Sequence, residues 1–272
     1  LELGARAFID GEDIPFPQPK DSGYGRCVEP DLSRGYAPVP GACDFNEHGY
    51  LGPVLPPKGE SPGPEPFRIL LAGDSIGALG YWVAQLEAGL QAELGREVVI
   101  FNGAVSGYNL CQDWMTLREL APLTEPDLLL VQSCTNDVLG SLVLRPTSRG
   151  GLVMDTGGGG TMRLPGAILH SRFLTFLAVR YGASKMSDRL AGGRHIEDAT
   201  RCLAGVRDLA LQLKVPARVL LFPELVELGE PGYQDALHQE ATIQERAEFV
   251  GLTVISLRSV LEGEGGMARF RP

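Results

Sequence analysis

Three short stretches carry groups suited to acyl transfer. The first is Arg68-Ile-Leu-Leu-Ala-Gly-Asp-Ser-Ile-Gly77, in which Ser75 stands between an apolar run and a helical pattern. A serine in such a turn exposes its hydroxyl. Its backbone N–H lies at a helix N-terminus, where the dipole favours an oxyanion. The same position suits a serine that merely caps the helix. The second stretch is Asn102-Gly-Ala-Val-Ser-Gly107-Tyr-Asn109. There Gly107 lets a backbone N–H approach a ligand closely, and it serves equally as a turn residue. The third is Cys134-Thr-Asn136-Asp137. The Asn136 amide can donate into the same crevice, or it can close an Asx turn or cap a helix. Each signal alone is ambiguous. Together they supply a nucleophile, Ser75, and two oxyanion donors, Gly107 and Asn136.

The elements that hold them follow from periodicity. Apolar runs at Arg68–Ala72, Val98–Phe101, Asp127–Gln132, Ala217–Phe222 and Leu252–Ile255 read as buried strands. Helical patterns lie between them, at Ala78–Leu94, Leu110–Leu120, 167–181 with 197–213, and 234–250. On the first helix Leu79, Trp82, Val83, Leu86 and Leu90 share one face. Continuous apolar strands alternating with amphipathic helices imply an α/β fold whose five-stranded parallel sheet is covered on both sides. Ligands bind such sheets at the carboxyl ends of the strands, which is where the three stretches fall. Residues 138–196 interrupt the alternation as an insertion carrying Gly157–Gly160.

Residues 1–66 differ in texture. Twelve of the 20 prolines fall there, ending in Pro56-Pro-Lys-Gly-Glu-Ser-Pro-Gly-Pro-Glu-Pro66. Sustained helix or central strand is excluded. The expectation is an N-terminal arm over 1–66 packed on a domain over 67–272.

The formal net charge of -10 disfavours a phosphate backbone as partner. No stretch approaches the ~20 apolar residues of a membrane span. The opening Leu-Glu-Leu-Gly-Ala-Arg-Ala-Phe reads either as the tail of a removed signal or anchor upstream of Leu1, or as a plain terminus. The five cysteines and the histidines His48, His170, His195 and His238 lack metal-ligand spacing, and no metal or organic cofactor is expected. Cys27 and Cys43 sit in the core-poor arm. A disulfide between them is worth on the order of 3 kcal/mol in the chain-entropy model and would place the chain in an oxidising, extracytoplasmic compartment. Cys202 lies on an apolar helix face and reads as core.

At Ile-Leu-Leu-Ala-Gly73-Asp74-Ser75, Asn102-Gly-Ala-Val-Ser-Gly107 and Cys134-Thr-Asn136-Asp137 the chain resembles the SGNH (GDSL-type) hydrolases. The blocks match in order and in their place after the first three strands. The resemblance spans about 67–257. It implies a three-layer flavodoxin-like fold and a Ser-His-Asp mechanism, with Ser75 as nucleophile and Gly107 and Asn136 in the oxyanion hole. The arm, and Leu169-His-Ser-Arg-Phe-Leu174, resemble exported or membrane-anchored bacterial members.

The chain departs from the family pattern twice. Cys134 stands where the family often has glycine, which raises a Cys111–Cys134 disulfide as an expectation. The family's Asp-x-x-His follows the last strand, whereas Ser256–Pro272 holds no histidine. The resemblance then implies a catalytic block beyond Pro272. The alternatives are Asp235-Ala-Leu-His238, ahead of the last strand, or a chain without a base and of weak activity.

Other readings fit less well. Gly73-Asp-Ser75-Ile-Gly77 matches Gly-x-Ser-x-Gly, but the upstream His-Gly-Gly-Gly loop of an α/β-hydrolase is missing. Neither nucleotide-binding glycine motif occurs. The expected activity is cleavage of a small acyl ester, on a lipid or an O-acylated glycan. The alternatives on the same scaffold are glycan O-acyl transfer and a non-catalytic carbohydrate-binding module.

Overall fold

In the computed structural model the described residues are 27–31, 34–60, 63–138, 143–146, 152–155, 161–164, 194–223 and 233–258. They fall into two compact units. The expected helix at 167–181, the Gly157–Gly160 stretch and the 169–174 segment lie outside the described residues. Among those residues no helix is long and apolar enough to cross a membrane.

One unit comprises residues up to Gly49 and the strands of the 140–195 segment. Strands β1 (Val28–Asp31) and β2 (Gly35–Pro38) pair antiparallel as a hairpin. The expected Cys27–Cys43 disulfide ties the start of this hairpin to the turn beyond it, with the two Cα atoms 5.5 Å apart.

The other unit carries the parallel sheet. Strand β3 (Phe67–Ala72) leads into helix α1 (Ser75–Leu79) and then α2 (Tyr81–Leu94). The sequence predicts a single helix from Ala78. Gly80, at φ 69°, instead takes the left-handed conformation and donates its N–H to the Gly77 carbonyl, which ends the first helix. The break removes Leu79 from the expected apolar face and leaves it 63% exposed. Strand β4 (Val98–Asn102) follows, then α3 (Leu110–Thr124) and β5 (Leu128–Ser133), which runs into a 3-10 turn at Thr135–Val138. Helix α3 runs one turn past the expected end, through Pro122, and closes where the Glu125 N–H meets the Ala121 carbonyl.

Strands β6 (Val143–Pro146), β7 (Leu152–Asp155) and β8 (Thr161–Leu164) form an antiparallel meander inside the expected insertion and belong to the first unit. There β6 packs against β1 and β2. The chain returns through α4 (Arg194–Leu213), β9 (Ala217–Leu221), α5 (Tyr233–Phe249) and β10 (Thr253–Ser256).

The sheet order is β10-β9-β5-β3-β4, with every neighbouring pair parallel. This is the flavodoxin-like order. Period-two alternation divides its side chains between two layers. Leu70, Ala72, Phe101, Leu129, Val131, Val219 and Leu221 pack with Leu117, Leu203, Val206 and Ile243 of α3, α4 and α5. Ile69, Leu71, Ile100, Leu130 and Leu220 pack with Val83, Trp82, Leu86 and Leu90 of α2. Both sheet faces are therefore covered, as near-continuous apolar strands require.

Cys111, in the first turn of α3, bonds Cys202 of α4, with Cα atoms 5.0 Å apart. This corrects two expectations. Cys202 is not simply core, and Cys111 does not pair with Cys134. Helices α3 and α4 pack on the same sheet face, which brings Cys111 and Cys202 together. The Cys134 thiol instead meets Asp74. Closing a loop of 91 residues is worth about 4–5 kcal/mol in the chain-entropy model.

Candidate functional site

The chain reverses its direction of travel across the sheet at β3. It goes first to β4 and then to β5 on the other side. Such a switch point opens a crevice outside the carboxyl ends of the strands. Ser75 follows β3, Gly107 follows β4, and Asn136 lies in the 3-10 turn after β5.

Hydrogen bonds lace the three strand ends together. The Gln132 side-chain oxygen accepts from the backbone N–H groups of Asp74 (3.1 Å) and Gly77 (3.0 Å). The Asn102 amide donates to the Gly77 carbonyl at 2.9 Å, and its oxygen accepts from the Ala104 N–H. The Val105 N–H donates to the Gly73 carbonyl, also at 2.9 Å. Such close approach fixes the residue type at position 77. A Cβ there would stand 2.6 Å from the Ala104 Cβ.

The same network leaves one donor open at the Ser75 turn. Asp74, not Ser75, is the helix cap, and its Oδ1 accepts from the Ile76 N–H. The Asp74 and Gly77 amides go to Gln132, and the Ala78 amide goes to the Asp74 carbonyl. The Ser75 N–H, at the first helical position, meets no acceptor among the described residues. Freed from capping, the half-buried Ser75 side chain makes no hydrogen bond there either.

The β4 loop repeats the pattern. Gly103, Ala104, Val105 and Tyr108 all spend their N–H groups on protein acceptors. Gly107 is exposed, sits at φ 82°, and its N–H has no acceptor among the described residues. The positive φ favours glycine on steric grounds. Immediately after it, Asn109 caps α3 through a full capping box with Gln112, which anchors the loop.

Asn136 lies between Thr135 and Asp137 in the 3-10 turn. This turn packs against α5. Helix α5 runs back from the carboxyl end of β9, so its first turns lie at the same edge of the sheet as Ser75. Asp235 and His238 occupy those turns with exposed side chains. Neither side chain makes a hydrogen bond or ion pair with a described residue.

Behind the turn lies a group of buried acids. Asp74, Asp113 and Asp137 are 2%, 0% and 3% exposed. The Cys134 thiol donates to Asp74 Oδ2 at 3.1 Å, and the Cys134 N–H donates to Asp137 Oδ2 at 2.8 Å. Burial, reinforced by the Asp74 charge, pushes the Asp137 carboxyl up to about 8. Burial also holds Asp113 well above the usual carboxylate range, with the Asp137 and Asp74 charges adding to the effect. Sequence reading found neither Gln132 nor Asp113. A glutamine at a strand end and an acid in a first helical turn look ordinary until the fold turns them inward.

No family model matches the chain, and no curated protein matches it. Solved structures do resemble it. These are SGNH-type and related esterases. The esterase AlinE4, of the SGNH-hydrolase family, is 17% identical, with 77% of this chain and 85% of that one covered and a TM-score of 0.43. The acetyl xylan esterase AlAXEase is 12% identical over 72% of this chain and 82% of its own, at a TM-score of 0.43. A GDSL-like lipase from Bacteroides thetaiotaomicron is 15% identical over 72% and 70%, at 0.38.

Proposed function

We propose that the chain is a serine hydrolase that cleaves a small acyl ester. Ser75 attacks the acyl carbonyl. The open N–H groups of Ser75 and Gly107, with the Asn136 side-chain amide, receive the oxyanion that develops. The carrying observation is the pair of unspent N–H groups. Neighbouring amides of both loops are taken by protein acceptors, and those of Ser75 and Gly107 are left at the carboxyl edge of the sheet. Two fixed donors that need no reorganisation are the arrangement acyl transfer requires. Helix α1 is short, but its first free N–H is the nucleophile's own.

A histidine takes the Ser75 proton in this reading. His238 stands at the correct edge of the sheet, and a block beyond Pro272 is the other source. His238→Ala separates them. A loss of hydrolysis as deep as that of Ser75→Ala assigns the base to His238, and retained hydrolysis assigns it elsewhere. The Cys27–Cys43 and Cys111–Cys202 disulfides support an extracytoplasmic site of action.

The test is hydrolysis of p-nitrophenyl acetate by the wild type and by Ser75→Ala. The variant is expected to keep its circular dichroism spectrum and lose about 10³-fold or more in kcat, as when a catalytic triad loses a member. Unchanged hydrolysis would refute the assignment and leave a binding module as the reading.

A further inference from the structure

A nucleophile and its donors fix where the ester carbonyl sits. They leave open what lies beyond it. Helix α1 has one tightly packed side, at Gly77. The Gly77 N–H donates to Gln132 Oε1 at 3.0 Å, and its carbonyl accepts from the Asn102 amide at 2.9 Å. A Cβ on Gly77 would stand 2.6 Å from the Ala104 Cβ. Ser75 and Leu79 lie two residues to either side of Gly77. With about 3.6 residues per turn, both fall on the side of α1 opposite the packed one. They are also four residues apart, so Leu79 shares the face of the nucleophile, one turn further on.

This face is held in place. Trp82 Nε1 donates to the Ile76 carbonyl at 3.0 Å, and the Trp82 ring packs on Phe222 with centroids 5.1 Å apart. Gly80, at φ 69°, ends α1 directly after Leu79. Leu79 is thus carried at a fixed point with 63% of its surface exposed, and Tyr81 across the break is 80% exposed. An exposed leucine alone means little. Leu94, Leu123, Leu211 and Phe249 are exposed too, but each lies in the last turn of its helix, at the opposite edge of the sheet. Leu79 differs in sharing a helix face with Ser75.

We propose that Leu79 is a specificity-determining residue that holds an aliphatic chain of the ester, one helical turn from the carbonyl under attack. The inference rests on Ser75 being the nucleophile, and it names the substrate class. Cβ atoms four residues apart on a helix stand about 5–6 Å from each other, a reach of about four to six carbons of an extended chain. An acetyl group stops short of Leu79, and the hydroxyls of an acetylated sugar would meet an apolar wall. Full burial of a methylene favours binding about fourfold. Leu79 supplies one wall, so each methylene laid against it gains about twofold in kcat/KM. The chain can belong to the acyl side or to the alcohol side of the ester, since both leave the same carbonyl.

Two substrate series tell these apart. p-Nitrophenyl acetate, butyrate and hexanoate lengthen the acyl side, and ethyl, butyl and hexyl acetate lengthen the alcohol side. In one series, wild-type kcat/KM should rise about tenfold from shortest to longest, and Leu79→Gln should flatten that rise to about threefold or less. The responding series identifies the chain. Leu79 is exposed, so Leu79→Gln leaves the core intact. Leu79→Phe should keep the rise, because it keeps an apolar wall. Phe249→Ser, at the far edge of the sheet, should keep it as well. A flat profile in both series, or a rise that Leu79→Gln retains in full, overturns the inference while Ser75→Ala remains inactive. Undiminished hydrolysis by Ser75→Ala removes the nucleophile itself, and this inference with it.

Discussion

The Ser75 turn and the acid cluster behind it are built from adjacent residues, yet they are opposites in hydrogen bonding. In the turn, donors are spent one by one until a single N–H remains at Ser75, with its counterpart at Gly107. In the cluster, acceptors are left over at Asp113. Folded proteins pair nearly all buried polar groups, so a group left unpaired calls for its own physical account. Surplus donors suit a developing oxyanion, whereas the buried oxygens of Asp113 favour a protonated carboxyl. Asp74 belongs to both regions. Its backbone and Oδ1 shape the turn, and its Oδ2 faces Cys134.

Variants can break this comparison on either side. After Ser75→Ala itself, Asn136→Ala carries the largest expected effect. With one oxyanion donor removed, kcat for an activated ester should fall about 10²–10³-fold with KM nearly unchanged. A change confined to KM would move Asn136 out of the hole. Gln132→Leu strands the N–H groups of Asp74 and Gly77. Urea unfolding should show a loss of about 2 kcal/mol or more, with kcat reduced because the turn is no longer fixed. Full activity at reduced stability would make Gln132 purely structural.

The acid side predicts a pH dependence. Burial raises Asp137 from 3.8 to about 8 and raises Asp113 in the same direction. The native state thus favours the protonated carboxyls. That stability is complete below about pH 4 and is lost as pH rises toward 8. Thermal melts across this window should show Tm falling. A Tm that rises over that window would contradict the placement of the acids. Asn109→Ala tests the smallest effect. Losing the α3 cap should cost about 1 kcal/mol and loosen the loop that presents Gly107.

Much of this architecture was legible in the chain. The five strands announce themselves as apolar runs because both their faces are buried. The blocks at Ser75, Gly107 and Asn136 could be placed because each directly follows such a run. The Cys27–Cys43 bridge could be read because its partners are 16 residues apart in a proline-rich segment. What escaped depends on distant packing. Cys111 and Cys202 are 91 residues apart, and helix packing alone brings them together. Gly80 breaks a helix whose periodicity continues across it. Asp113 looks like an ordinary first-turn acid, which a helix N-terminus favours, until packing of α3 buries it with no hydrogen-bond donor in reach.

The central claim is that Ser75 is a nucleophile aimed at an electrophile held by its own N–H and that of Gly107. A fluorophosphonate probe tests it most directly, because attack by the serine oxygen leaves a covalent adduct readable by peptide mass spectrometry. The account predicts one adduct, on the peptide containing Ser75, absent in Ser75→Ala and slowed in Asn136→Ala. An unlabelled Ser75 peptide in folded protein, or an adduct on another residue that survives Ser75→Ala, would contradict it.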